Sequence, residues 1–121
     1  MLNDLNPEKL SRIYIACGYT NLRYGINGLA NVIESEFQMN PFEKNVLFLF
    51  CGRKCDRIKG LLWEGDGFLL LYKRIEQGKF KWPRTTDEVM QMTPQQFRWL
   101  MEGLSIFQSK AVSEVHPKTI G

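Results

Sequence analysis

The sequence is poor in the residues that most often carry chemistry: it has 1 histidine and 3 cysteines in 121 residues. Nucleophilic catalysis needs a base beside the nucleophile, and the lone His116 precedes Pro117 in a stretch without periodicity or a visible Ser or Cys partner. A structural zinc site is built from two knuckle-like pairs. Cys51 and Cys55 supply one loose pair, with Cys17 and His116 elsewhere. Three thiols fit a reduced, cytosolic chain better than a disulfide framework. Proline is also scarce, at 5 residues, while 44% of the chain is hydrophobic and 24% charged. That balance excludes disordered and collagen-like classes. No apolar run approaches the roughly 20 residues that cross a bilayer. Met1 to Pro7 lacks the basic start and apolar core of a signal peptide. A single cytoplasmic domain without a membrane segment is expected, able to bury roughly two-thirds of its unfolded surface.

Charge is present but unevenly placed. The net +3 resolves into one basic block between two slightly acidic flanks. Residues 53–84 hold nine Lys and Arg against four Asp and Glu, a surplus of five. The cations are Arg53, Lys54, Arg57, Lys59, Lys73, Arg74, Lys79, Lys81 and Arg84, interleaved with Trp63, Phe68, Tyr72, Phe80 and Trp82. Clustered cations with aromatics between them are the footprint of a phosphate-backbone binder. The same pattern also suits a solvated strand face whose Lys and Arg guard an edge. Both readings stand on composition.

Patterning gives the elements. Ile13 to Cys17 reads as a strand ended by Gly18. Thr20 is placed to cap a helix with apolar residues Leu22, Ile26, Leu29, Ile33 and Phe37, and Gly25 and Gly28 inside it imply a close packing partner. Val46 to Cys51 is apolar throughout, as in a central strand covered on both faces. Arg57–Trp63 and Phe68–Ile75 flank Glu64-Gly65-Asp66-Gly67 and read as a hairpin. Its basic ends would gather Arg57, Lys59, Lys73 and Arg74. From Gly78 to Pro83, Phe80 and Trp82 point one way and both lysines the other. A polar stretch follows from Arg84 to Met92. Thr93-Pro94-Gln95-Gln96 is a capping box, opening a helix with Phe97, Leu100, Met101 and Leu104 on one stripe and Gly103 at its stop. The expected fold is α+β: one domain over 1–104 with a small, mostly antiparallel sheet of four to five strands and two helices. Residues 105–121 are expected to form a flexible tail.

Several blocks in this order resemble the TnpB accessory protein encoded beside the transposase in bacterial insertion sequences of the sixty-six type, a protein unrelated to the RNA-guided nuclease that shares the name. They begin at Gly18-Tyr19-Thr20-Asn21-Leu22-Arg23-Tyr24-Gly25 and continue through Asn40-Pro41-Phe42, Leu47-Phe48-Leu49-Phe50 and Asp56-Arg57-Ile58-Lys59. The longest is Leu61-Leu62-Trp63-Glu64-Gly65-Asp66-Gly67-Phe68, followed by Tyr72 to Glu76, Gly78 to Pro83, and Leu100-Met101-Glu102-Gly103. The resemblance spans about residues 13–104. It marks Thr20, Asn21, Arg23, Gly25, Trp63, Glu64, Gly65, Gly67, Phe68 and Pro83 as motif residues. Asn21 and Glu64 stand where the family usually has Asp, and Ile106 and Phe107 where a Trp is common. Asn21 can only hydrogen-bond where an Asp would also pair with Arg23. The resemblance implies a transposition helper acting beside a separate transposase.

Catalysis has little to stand on. Asp56, Glu64 and Asp66 are candidates close in sequence for a two-metal strand-transfer site, but Asp66 falls in a tight turn. Gly65-Asp66-Gly67-Phe68 lacks the downstream helix of a nucleotide-binding loop. No catalytic residue, metal or cofactor is therefore expected. The first functional expectation is DNA binding at the element's ends through Arg53, Lys54, Arg57, Lys59, Lys73, Arg74, Lys79, Lys81 and Arg84, with Tyr72, Phe80 or Trp82 stacking on bases. The second is docking on the transposase, through the first helix or near Trp99, without DNA contact. A helix-turn-helix reader is disfavoured because Arg98 is the lone cation on its would-be recognition helix.

Overall fold

A computed structural model of the chain describes residues 5–108. Its elements are a 3-10 turn at Pro7–Lys9, then β1 (Arg12–Ala16), α1 (Ile26–Ser35), β2 (Val46–Cys51), β3 (Arg57–Trp63), β4 (Phe68–Arg74), β5 (Val89–Met92) and α2 (Pro94–Met101). The strands form one sheet in the order β4-β3-β2-β1-β5. This is the expected α+β fold.

The apolar run of β2 explains its place at the centre, where all six residues are buried. β1 pairs with it in parallel, Tyr14 opposite Phe48 with their rings stacked 5.4 Å apart. A parallel pair requires a crossover, and α1 supplies it. The pairs β1–β5, β2–β3 and β3–β4 are antiparallel. The β3–β4 hairpin closes through Glu64 N–H donating to the Gly67 carbonyl, with Gly65 at φ +99°. Such a backbone favours glycine.

Alternation along the strands gives the sheet two apolar faces. On one, Leu29, Val32 and Ile33 of α1 pack with Val46, Phe48, Phe50 and Leu61. On the other, Phe97 and Leu100 of α2 join Ile13, Ile15, Leu47, Leu49 and Ile58. Phe80 and Trp82 complete that second face, while Lys79 and Lys81 remain exposed. The alternation expected there is present, although the segment pairs with no strand. Thr93 and Gln96 make both bonds of the capping box, and Gly103 ends α2 at φ +83°.

Four details differ from the sequence expectation. Helix α1 starts at Ile26, not after Thr20, and Gly25 caps it without a side-chain bond. The Thr20 N–H instead donates to the Cys51 carbonyl and Asn21 Oδ1 accepts from the Arg23 N–H, which holds 20–23 as a loop on the sheet. Within α1, a Cβ on Gly28 would lie 2.9 Å from Tyr24 Cβ, so the expected close neighbour exists there; Gly25 has none within 4 Å. Val89–Met92, read from the sequence as part of a polar stretch, is the edge strand β5. Packing also runs past residue 104, because Ile106 is buried while Leu104 is exposed. The rest of the expected tail, 109–121 with His116, lies outside the described residues.

Candidate functional site

In open sheets, ligands bind where chain leaves the carboxyl ends of neighbouring parallel strands. Here the two such exits are residues 17–25 after β1 and 52–56 after β2, and they meet. The Thr20–Cys51 bond, 2.8 Å, ties one to the other. Gly52 allows the contact: a Cβ there would sit 3.2 Å from Leu22 Cδ1. The 52–56 turn is closed by Cys55 N–H donating to Gly52 O, with Cys55 at φ +59°. It is anchored to later chain by Phe80 N–H donating to Cys55 O and Ile75 N–H to Asp56 O.

Between these loops and the β3–β4 hairpin lies a groove of about 830 Å³. Its apolar lining comes from Leu22, Leu70 and the rings of Tyr19 and Tyr72. Its charged lining is Arg23, Arg53, Lys54, Arg57 and Lys59 against Asp56. Asp56 and Arg57 approach to 3.7 Å, with both side chains partly exposed, so solvent screens the pair. Lys59 Nζ donates to the Tyr24 carbonyl at 2.8 Å and lies 5.9 Å from the centre of the Tyr72 ring. Arg84 and Arg53 lie 5.0 and 5.9 Å from the Tyr19 ring centre, which brings Arg84 to the groove although it is distant in sequence. Cation–ring contacts of this kind orient long side chains that would otherwise be disordered in water.

The residues expected to contact DNA are thus divided. Arg53, Lys54, Arg57 and Lys59 line the groove, and Arg84 flanks it. Arg74 is opposite Arg57 in register and pairs with Glu76 at 3.2 Å. The register gathers Arg57, Lys59, Lys73 and Arg74 at one end of the sheet, as expected, but Lys73 sits opposite Ile58, on the other face from Arg57 and Lys59. Lys79 and Lys81 do not line the groove. Trp82 requires a correction. It is buried in the core with its indole N–H donating to Ala16 O at 2.8 Å, so its ring offers no face for stacking on a base. Phe80 is buried beside it.

The motif residues separate in the same way. Thr20, Asn21 and Arg23 line the groove, and Gly25 caps α1. Pro83 is buried, its carbonyl accepting from Gly18 N–H. Trp63, Glu64, Gly65, Gly67 and Phe68 lie at the far end of the hairpin. There Trp63 and Phe68 meet Phe42 in a cluster of rings with centroids 4.8 to 5.2 Å apart. Tyr19, Leu22 and Leu70 were not anticipated as site residues, and Arg23 was marked only by motif. For Tyr19, Leu22 and Arg23 the signal is the parallel pairing of β1 and β2, which brings the strand exits together; Leu70 shares a face of β4 with Tyr72 by alternation.

Asp56 lies before β3 and Glu64 and Asp66 after it, at opposite ends of a strand roughly 20 Å long. Among the described residues no three His, Cys, Asp or Glu side chains are grouped to hold a metal. Burial pushes the Cys51 thiol well up, with Cys55 and Asp56 adding to the effect. A neutral thiol of this kind is a packing group rather than a nucleophile.

Residues 11–111 match the family model described as IS66 Orf2 like protein. The chain belongs to that family. It is similar to two proteins of Sinorhizobium fredii. One, named uncharacterized protein y4jC, is 33% identical over 83% of this chain and 85% of its own. The other, uncharacterized protein y4hO, is 33% identical over 77% of this chain and 80% of its own. No solved structure matches it. Membership in the IS66 Orf2-like family points to an accessory role in transposition and so to a link with the element's transposase. Among the described residues no helix is long and apolar enough to cross a membrane.

Proposed function

We propose that this IS66 Orf2-like protein is a non-catalytic accessory protein of transposition, acting in the cytoplasm beside a separate transposase and binding the DNA of the element's ends through the groove. The observation that supports this reading is charge: five cations line the groove against one carboxylate. Lys and Arg on phosphates fix position without reading bases, so low sequence specificity is expected. Fluorescence anisotropy on labelled terminal-repeat DNA at several salt concentrations tests it. If those five cations each neutralise a phosphate, log K falls with log salt at a slope of roughly −4.5. The double variant Arg53→Glu/Arg57→Glu should abolish binding while remaining folded, and Lys79→Glu/Lys81→Glu should weaken it far less. Undiminished binding by the first variant refutes the assignment to the groove.

A second reading, docking on the transposase, is favoured by the Phe42–Trp63–Phe68 cluster, where Phe42 is 50% exposed. Exposed aromatic anchors are common at interface hot spots. Co-purification with the transposase in high salt, lost in Phe42→Ala, supports this reading. Retention in the variant removes it.

A further inference from the structure

We infer that the groove holds an unpaired DNA strand, with a base stacked on Tyr72 and its neighbouring phosphates on Arg53, Lys54 and Arg57; this rests on the DNA-binding reading above and specifies the form of the DNA.

Three observations lead there. First, a protein that only tracks duplex phosphates needs a cationic surface, whereas this one has a recess of about 830 Å³ partly lined by Leu22, Leu70 and Tyr72. An apolar recess ringed by cations matches a single strand, whose base has a π-face to bury and whose backbone stays charged. In a duplex that face is already stacked. Second, Tyr72 is 49% exposed on β4, an edge strand of the sheet, and among the described residues no further strand covers its outer side. Its ring is supported by Lys59, opposite it in register and itself held by the Tyr24 carbonyl. The platform is therefore ordered before a base arrives, which lowers the entropy lost on binding. Third, the cations exceed what one phosphate requires and come from both exits and from β3. That spread suits successive phosphates of a strand rather than a free nucleotide.

The test is anisotropy of the full chain with three probes of one sequence: a single strand, a blunt duplex, and a duplex with a single-stranded extension. Each is titrated with wild type, Tyr72→Ala and Tyr72→Phe. Wild type should bind the single strand and the extended duplex at least about fivefold tighter than the blunt duplex, the lower end of what one base–aromatic stack supplies. Tyr72→Ala should weaken binding of the single strand and the extended duplex at least about fivefold, to the level of the blunt duplex, while Tyr72→Phe, which keeps the ring, should retain the preference. Equal affinity for all three probes, or a preference that survives Tyr72→Ala, overturns the inference but leaves DNA binding standing if Arg53→Glu/Arg57→Glu still abolishes it. Absence of binding to every probe at low salt overturns the DNA-binding reading itself, and this inference with it. Displacement of the strand by a free deoxynucleoside monophosphate at micromolar concentration would make the ligand a nucleotide and refute the assignment to a strand.

Discussion

Replacing Trp82 with phenylalanine separates a core role from a contact role for the segment between β4 and β5. The indole is 7% exposed and bonds to Ala16 O, at the end of β1. Phenylalanine removes about 40 Å² of buried ring, about 1 kcal/mol at roughly 25 cal/mol per Å². The loss of the indole donor to a buried carbonyl costs about 1 kcal/mol more. The sum of about 2 kcal/mol corresponds to a Tm lower by roughly 8 °C for a domain of this size. Alanine, which also leaves a cavity, should cost about 3–5 kcal/mol. Thermal unfolding followed by circular dichroism measures the shift, and anisotropy on DNA at 20 °C measures binding by the folded protein. The expected result is a large loss of stability with unchanged affinity. If Trp82→Phe melts within about 1 °C of wild type but binds DNA several-fold more weakly, the core assignment is wrong.

Thr93→Ala removes the side chain that accepts from Gln96 N–H and should lower stability by about 1 kcal/mol, read as a shift in denaturant midpoint. Gly28→Ala would ordinarily stabilise a helix by about 1 kcal/mol. Here the new methyl meets Tyr24 Cβ and Cγ at 2.9 Å, both near the backbone rather than at a flexible tip, so a lower Tm is expected. A rise would show that Tyr24 yields freely. Cys51, buried and held protonated, should resist iodoacetamide at pH 8 in the native protein and react only after denaturation, as peptide mass spectrometry would report. Rapid native labelling would contradict its burial.

Much of the fold was legible because local chemistry and tertiary packing agree. The hairpin register, the unbroken apolar run of β2, the capping box at Thr93 and the stop at Gly103 are all set within a few residues. The misreadings occur where distant chain decides. Leu22 continues the apolar spacing of α1 but belongs to a loop, because Gly52 leaves space for it and Cys51 O captures the Thr20 N–H. β5 has four residues, with Gln91 facing water, and its strand character comes from pairing with β1 rather than from its own pattern. The candidate site was half legible: charge arithmetic located the basic block, but not which of its cations face one another. Lys73 and Lys59 lie at the same end of the hairpin but on opposite faces of the sheet. Arg84 and Arg23 approach the groove from outside the hairpin, through folding that no spacing reveals.

The groove draws on stretches that are separate along the chain: the exit from β1, the turn after β2, and the β3–β4 hairpin with Leu70 and Tyr72. None of them makes the site alone, so it does not exist in the unfolded chain. Any occupant therefore binds only the native form and shifts the folding balance toward it by mass action, about 2.7 kcal/mol at a hundredfold excess over Kd. In a cell this ties survival to work. Copies seated on an occupant would open less often, and so resist proteolysis better, than empty ones.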